Sequence, residues 1–139
     1  MALQKTGMNT QILDFWVGNF NSEEQFLQFV EEDDDYYLNE EDDDNYISKF
    51  AESQDTVWFD GDLAEFGFEN LSKNIYENFS EYSFADQWLP QLVNKINEME
   101  LKFDINSLLF VSQGQIPKPV SVESDDFSLV YLGGVEIEY

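Results

Sequence analysis

The sequence predicts a single α+β domain, with a sheet of about four strands packed against three to four helices. Three observations carry this. Short apolar runs of strand length recur along the chain, bounded by glycine, proline and asparagine. Between them lie stretches whose apolar residues repeat with the 3.6-residue period of a helix. The order strand, helix, short helix, strand, helices, strand, strand lacks regular βαβ alternation, so the strands are expected to present one face to the helices. At 139 residues, 42% hydrophobic and 17% aromatic, the chain suits one domain with a packed core.

Residues 12–17 (ILDFWV) read as a buried strand, closed by a turn at Gly18 and Asn19. Asn21 or Ser22 caps a helix, and Ser22 to Gln25 has the spacing of a capping box. Glu23 and Glu24 suit the positive end of its dipole. Phe26, Phe29 and Val30 make its apolar face, and the helix ends where an acidic run begins at Glu31. After the run, residues 46–51 form a short helix with Ile47, Phe50 and Ala51 inward. Residues 55–59 (DTVWF) read as a second strand leading into the turn Asp60-Gly61-Asp62, and residues 63–68 are ambiguous. Residues 70–79 are helical, with Leu71, Ile75 and Phe79 on one face.

Ser83 or Asp86 caps the strongest helix, where Trp88, Leu89, Leu92, Val93, Ile96 and Met99 follow the helical period. Pro90 is tolerated only near the first turn, which places the start around Asp86. Lys95 and Lys102 lie toward the negative end of its dipole. Residues 107–112 (SLLFVS) form a buried strand, and residues 114–119 a loop with two prolines. Val120 and Val122 extend an edge. Residues 127–132 (FSLVYL) are the last strand, bent by Gly133-Gly134 before residues 135–139. The strands at 107–112 and 127–132 are expected side by side and antiparallel. Trp16, Trp58 and Trp88 sit in apolar contexts and are expected in the core. Residues 1–10 read as a flexible leader, and residues 11–139 as the domain, with an acidic loop at 31–45.

Charge is the outlying quantity. Thirty acids face six lysines, for a net charge of −24, with no histidine and no arginine. Such a chain repels nucleic acid and anionic membrane, so its natural partner is a basic protein. No window approaches the ~18 apolar residues of a membrane span. The absence of cysteine excludes disulfides and thiolate metal sites and fits a cytoplasmic location. Residues 31–44 (EEDDDYYLNEEDDD) hold ten carboxylates in fourteen positions. A run this dense resists burial and repels itself, so it is expected to be extended or loosely ordered. Tyr36, Tyr37 and Leu38 break it in the middle, an apolar anchor flanked by charge.

The segment Phe15-Trp16-Val17-Gly18-Asn19-Phe20, followed by Ser22-Glu23-Glu24 and an aromatic helix, resembles the Immunity protein 22 family. So does Ser48-Lys49-Phe50 followed by Trp58-Phe59-Asp60-Gly61-Asp62. The likeness runs from about residue 13 to 116 and includes the later helix and the strand at 106–111. It implies a small bacterial α+β protein, encoded beside a polymorphic toxin, that binds and neutralises that toxin.

The residues expected to meet the toxin are Asp33, Asp34, Asp35, Tyr36, Tyr37, Glu40, Glu41, Asp42, Asp43 and Asp44, with Asp60, Asp62 and Glu65 extending the acidic face. Opposite fields speed encounter, and tyrosine supplies contact energy. A nuclease toxin fits best, because its phosphate-holding cleft is cationic. Two other readings use the same residues: a DNA mimic that blocks a DNA-binding protein, and an adaptor domain whose acidity serves only solubility. No cofactor or metal is expected. Asp60 and Asp62 are a weakly diagnostic carboxylate pair, and neither they nor Asp42 to Asp44 match a calcium loop. No nucleophile elbow, phosphate loop or zinc spacing occurs, so the chain is not expected to be an enzyme.

Overall fold

Strand β1 (Thr10–Phe20) is the centre of the fold, because its side chains are buried on both faces of the sheet. A computed structural model describes residues 9–32, 46–61, 63–69, 74–101 and 103–138. In order, β1 is followed by helix α1 (Glu23–Val30), helix α2 (Lys49–Ser53), β2 (Glu65–Phe68), helix α3 (Ile75–Phe79), helix α4 (Ala85–Met99), β3 (Ser107–Ser112), β4 (Val122–Glu123) and β5 (Phe127–Glu138). The five strands form one antiparallel sheet in the order β2-β3-β1-β5-β4. The α+β class holds, with one strand more than the four expected. Strands β3 and β5 are not neighbours, because β1 lies between them and pairs with both.

Helices clad both faces of the sheet. Leu13, Phe15 and Val17 of β1 join Leu108 and Phe110 of β3 beneath Phe79, Trp88, Leu89 and Leu92 of α3 and α4. Trp16 and Phe20 point the other way. They pack with Leu109, Val111, Phe26 and Phe29 of α1, and Phe50 and Ala51 of α2. Period-two alternation in β1 and β3 thus feeds two cores rather than one core and one wet face. In β5 the alternation changes phase. Val130 and Leu132 face the α3–α4 side, but beyond the bend it is Val135 and Ile137 that do so. The register shift opposite Phe15 and Trp16 and the positive φ of Gly133 (96°) mark a bulge at that point.

The expected turn at Gly18 and Asn19 is instead continuous strand. Gly18 pairs with Ser107 on one side and Leu129 on the other. A β-carbon there would collide with the Ser128 carbonyl oxygen, so glycine serves close strand approach rather than a turn. The segment at 55–59 is not a strand. Asp55 adopts a left-handed conformation (φ 52°), and the amide of Thr56 returns to the Ala51 carbonyl at 3.0 Å. The strand in this region is β2, over residues that were ambiguous in sequence.

Ser22 caps α1 as expected, and Ser48 caps α2 in the same way. The Ser22 hydroxyl accepts from the Gln25 amide (3.2 Å), and the Ser48 hydroxyl from the Ala51 amide (3.1 Å). The reciprocal half of the Ser22 capping box is not made, because the buried Gln25 Oε1 has no hydrogen-bond partner. Neither Ser83 nor Asp86 caps α4. Phe84 holds the N-cap position in a left-handed conformation without a side-chain cap, and the Ser83 carbonyl accepts instead from Trp88 Nε1 at 2.7 Å.

Candidate functional site

The acidic run is rooted on one face of the sheet. Helix α1 stops at Val30, and after Glu32 the chain is next described at Tyr46, just before α2. Both helices pack on the same side, against Trp16 and Phe20. Asp33, Asp34, Asp35, Tyr36, Tyr37, Glu40, Glu41, Asp42, Asp43 and Asp44 lie outside the described residues, as does Asp62. The start of the run does not. Glu31 and Glu32 are exposed at its start, and Glu23, Glu24, Glu52 and Asp55 are exposed on and beside α1 and α2, against one exposed lysine, Lys49.

Two further candidate residues fall in different places. Asp60 is half-buried on the segment after α2, and its amide donates to Gln115 Oε1 at 2.8 Å. Glu65 opens β2, where its carboxylate accepts from the Ser83 amide at 3.2 Å and so ties the edge strand to the start of α4. It therefore engages the α3–α4 side of the sheet, away from the roots of the run.

The structure adds one residue that the sequence placed in the core. Trp16 and Trp88 are fully buried, but Trp58 is 52% exposed and its neighbour Val57 44%. Only one of two adjacent large side chains can enter the core from an extended segment, and Phe59 takes that place. The segment that holds Trp58 outward is fixed by hydrogen bonds. The Ile47 amide donates to the Val57 carbonyl at 2.9 Å. The buried Gln54 side chain spans the backbone of Val120, accepting from its amide at 2.8 Å and donating to its carbonyl at 3.1 Å. Trp16 Nε1 donates to that same carbonyl at 3.0 Å.

Among the described residues one carboxylate is buried. Asp14 lies in β1 with its Oδ1 accepting from the Tyr131 hydroxyl at 2.7 Å. Burial raises its pKa above the ordinary carboxylate value, and the Tyr131 hydrogen bond offsets part of the rise. Tyr131 is raised as well, by burial first and then by its hydrogen bond to Asp14 and that group's negative charge. The folded protein therefore holds a proton on Asp14 more tightly than the unfolded chain does. Its contribution to stability is fully present below the unfolded value and is lost as pH rises through the folded one. Asp14→Asn keeps an acceptor for Tyr131 without the charge. Its urea midpoint, relative to the parent, is expected to rise as pH increases from about 4 to about 8. A constant difference across that range would show that Asp14 does not titrate differently on folding.

Among the described residues, no group of three or more histidine, cysteine, aspartate and glutamate side chains could hold a metal ion. A depression of about 500 Å³ lies beside α3 and α4, lined by Ile75, Val93, Ile96, Glu100, Leu101 and Ile105 among others. A second, of about 660 Å³, opens beside Asn19, Asn21, Glu23 and Glu69. No described helix is long and apolar enough to cross a membrane.

Fold and surface together define a small, strongly acidic α+β domain, a helix-clad antiparallel sheet. Within that class it has a family: the model for Immunity protein 22 matches residues 13–138, nearly the whole sheet and every described helix, and the chain belongs to that family. At family level, membership gives toxin-neutralising immunity as the function and a toxin as the partner. No curated protein and no solved structure matches the chain.

Proposed function

We propose that this protein neutralises a basic toxin, with a nuclease the best fit, by presenting its acidic run as the capture surface. One observation supports this reading above the others. Ten carboxylates in fourteen residues are carried between two helices of a domain whose family is one of immunity proteins. Asp33, Asp34, Asp35, Asp42, Asp43 and Asp44, with Glu40 and Glu41, compete for the cationic cleft that a nuclease needs for its phosphates. Tyr36 and Tyr37 add contact area where charge alone would give little lasting affinity. Asp60, Asp62 and Glu65 contribute long-range field. Inhibition is stoichiometric and non-covalent and takes place in the producer's cytoplasm.

The test is the rate of association with the toxin domain encoded beside this gene, in a catalytically inactive form. At low salt the on-rate is expected to approach about 10⁸ M⁻¹s⁻¹ and to fall steeply as salt rises. Replacing the six named aspartates by asparagine should lower it by about 10-fold or more. An on-rate that ignores both salt and these substitutions overturns electrostatic capture.

A further inference from the structure

We propose that Trp58 is the docking knob of this protein, with the partner a basic protein surface that lays a lysine or arginine side chain on the exposed indole. The inference rests on the capture reading and adds to it the residue that holds the partner once charge has delivered it.

A half-exposed tryptophan is unusual in a domain that buries its other two completely. Its exposure is built in. Residues 54–60 run against residues 120–115, because Gln54 grips the backbone of Val120 at one end and Gln115 grips the Asp60 amide at the other. Phe59 is sunk into the core beside Trp58, so the indole cannot turn inward without expelling it. Val57 and Val120, on the two paired segments, are also exposed, at 44% and 45%. The result is an apolar knob held in advance of binding, which lowers the ordering cost of contact.

Charge selects the occupant. The Val57 carbonyl is bonded to the amide of Ile47, so the knob sits where the chain returns from the acidic run. Glu52 and Asp55 are exposed on the same segment, and Lys49 and Lys118 are the bases nearby in sequence. With a net charge of −24, a second copy is repelled, whereas a basic partner is attracted to run and knob together. Indole is the best aromatic face for a lysine or arginine side chain, and tryptophan is among the residues that most often dominate an interface.

The three tryptophans make the experiment direct, since Trp58 alone is accessible to quencher. With the inactive toxin domain encoded beside this gene, Trp58→Ala is expected to raise the dissociation rate by about 30-fold or more. The on-rate and the urea midpoint should stay near the parent values, and Trp58→Phe should recover part of the loss. Acrylamide should quench Trp58 in the free protein and lose access in the complex. An unchanged dissociation rate in Trp58→Ala, with an on-rate still sensitive to salt, overturns the knob and leaves electrostatic capture standing. A salt-insensitive on-rate overturns capture itself. Protection from acrylamide in the free protein would mean that the chain's own residues cover Trp58. A dimer that Trp58→Ala dissolves would mean that a second copy does. Either outcome overturns the proposal.

Discussion

Trp16→Ala is expected to destabilise the fold by about 3–5 kcal/mol, the range for removing a large aromatic side chain from a core. Trp16 is fully buried on the α1–α2 face, with its ring centroid 5.1 Å from those of both Phe50 and Tyr131. It also does something that Phe50 cannot. Its Nε1 and Gln54 Nε2 both donate to the Val120 carbonyl, so the loop before β4 is anchored to the central strand and to α2 at one oxygen. Trp16→Phe should therefore retain much of the packing and lose the anchor. Urea denaturation orders the variants as parent, then Phe, then Ala. Paired with Gln54→Ala, the Phe variant should show non-additive loss, because the two donors share one acceptor. Additive losses would mean that they act separately. Trp58→Ala, one more tryptophan of the same sequence type, should barely move the midpoint.

That contrast shows where sequence reasoning succeeds and where it stops. Residues 108–111 are an unbroken apolar run between two serines, and β3 spans that run with its flanking serines. The same signal at Val57-Trp58-Phe59 misleads, because apolar content reports how much could be buried, not which side chain wins the space. Strand β2 was hard to see because an edge strand of four residues containing Glu65 and Gly67 has neither a clean alternation nor a full run. Its assignment comes from pairing with β3, which is information about a partner distant in sequence. The Ser22 cap was legible because its partner amide lies three residues away in sequence. Gln54 was not, since a glutamine in a polar stretch looks solvated until the loop it grips is known. The acidic run was plain from composition, whereas the neighbouring knob depends on which way one segment turns.

Asn106→Ala should cost about 2–5 kcal/mol, near the sum for two buried backbone groups left without partners. Asn106 precedes β3 and is buried. Its Oδ1 accepts from the Phe20 amide at 3.0 Å and its Nδ2 donates to the Phe20 carbonyl at 2.9 Å. The side-chain amide thus stands in for a peptide unit and adds one rung to the β1–β3 ladder beyond the Gly18–Ser107 pair. Its own backbone binds the same corner, donating to the Gly18 carbonyl at 3.0 Å and accepting from the Glu69 amide at 2.8 Å. One residue therefore joins the ends of β1, β2 and β3. The sharper variant is Asn106→Asp, which keeps the shape. An ionised aspartate can still accept from the Phe20 amide, but it faces the Phe20 carbonyl with no proton to donate. Burial and that lone-pair repulsion would raise its folded pKa above the unfolded value. Its stability should then approach the parent's at low pH, where a carboxylic acid can donate, and fall away as pH rises through the raised value. Urea midpoints of Asn106→Asp against Asn106→Ala across that range decide the point. If the aspartate variant follows the alanine variant at every pH, the donation to the Phe20 carbonyl contributes nothing, and the corner is held by backbone alone.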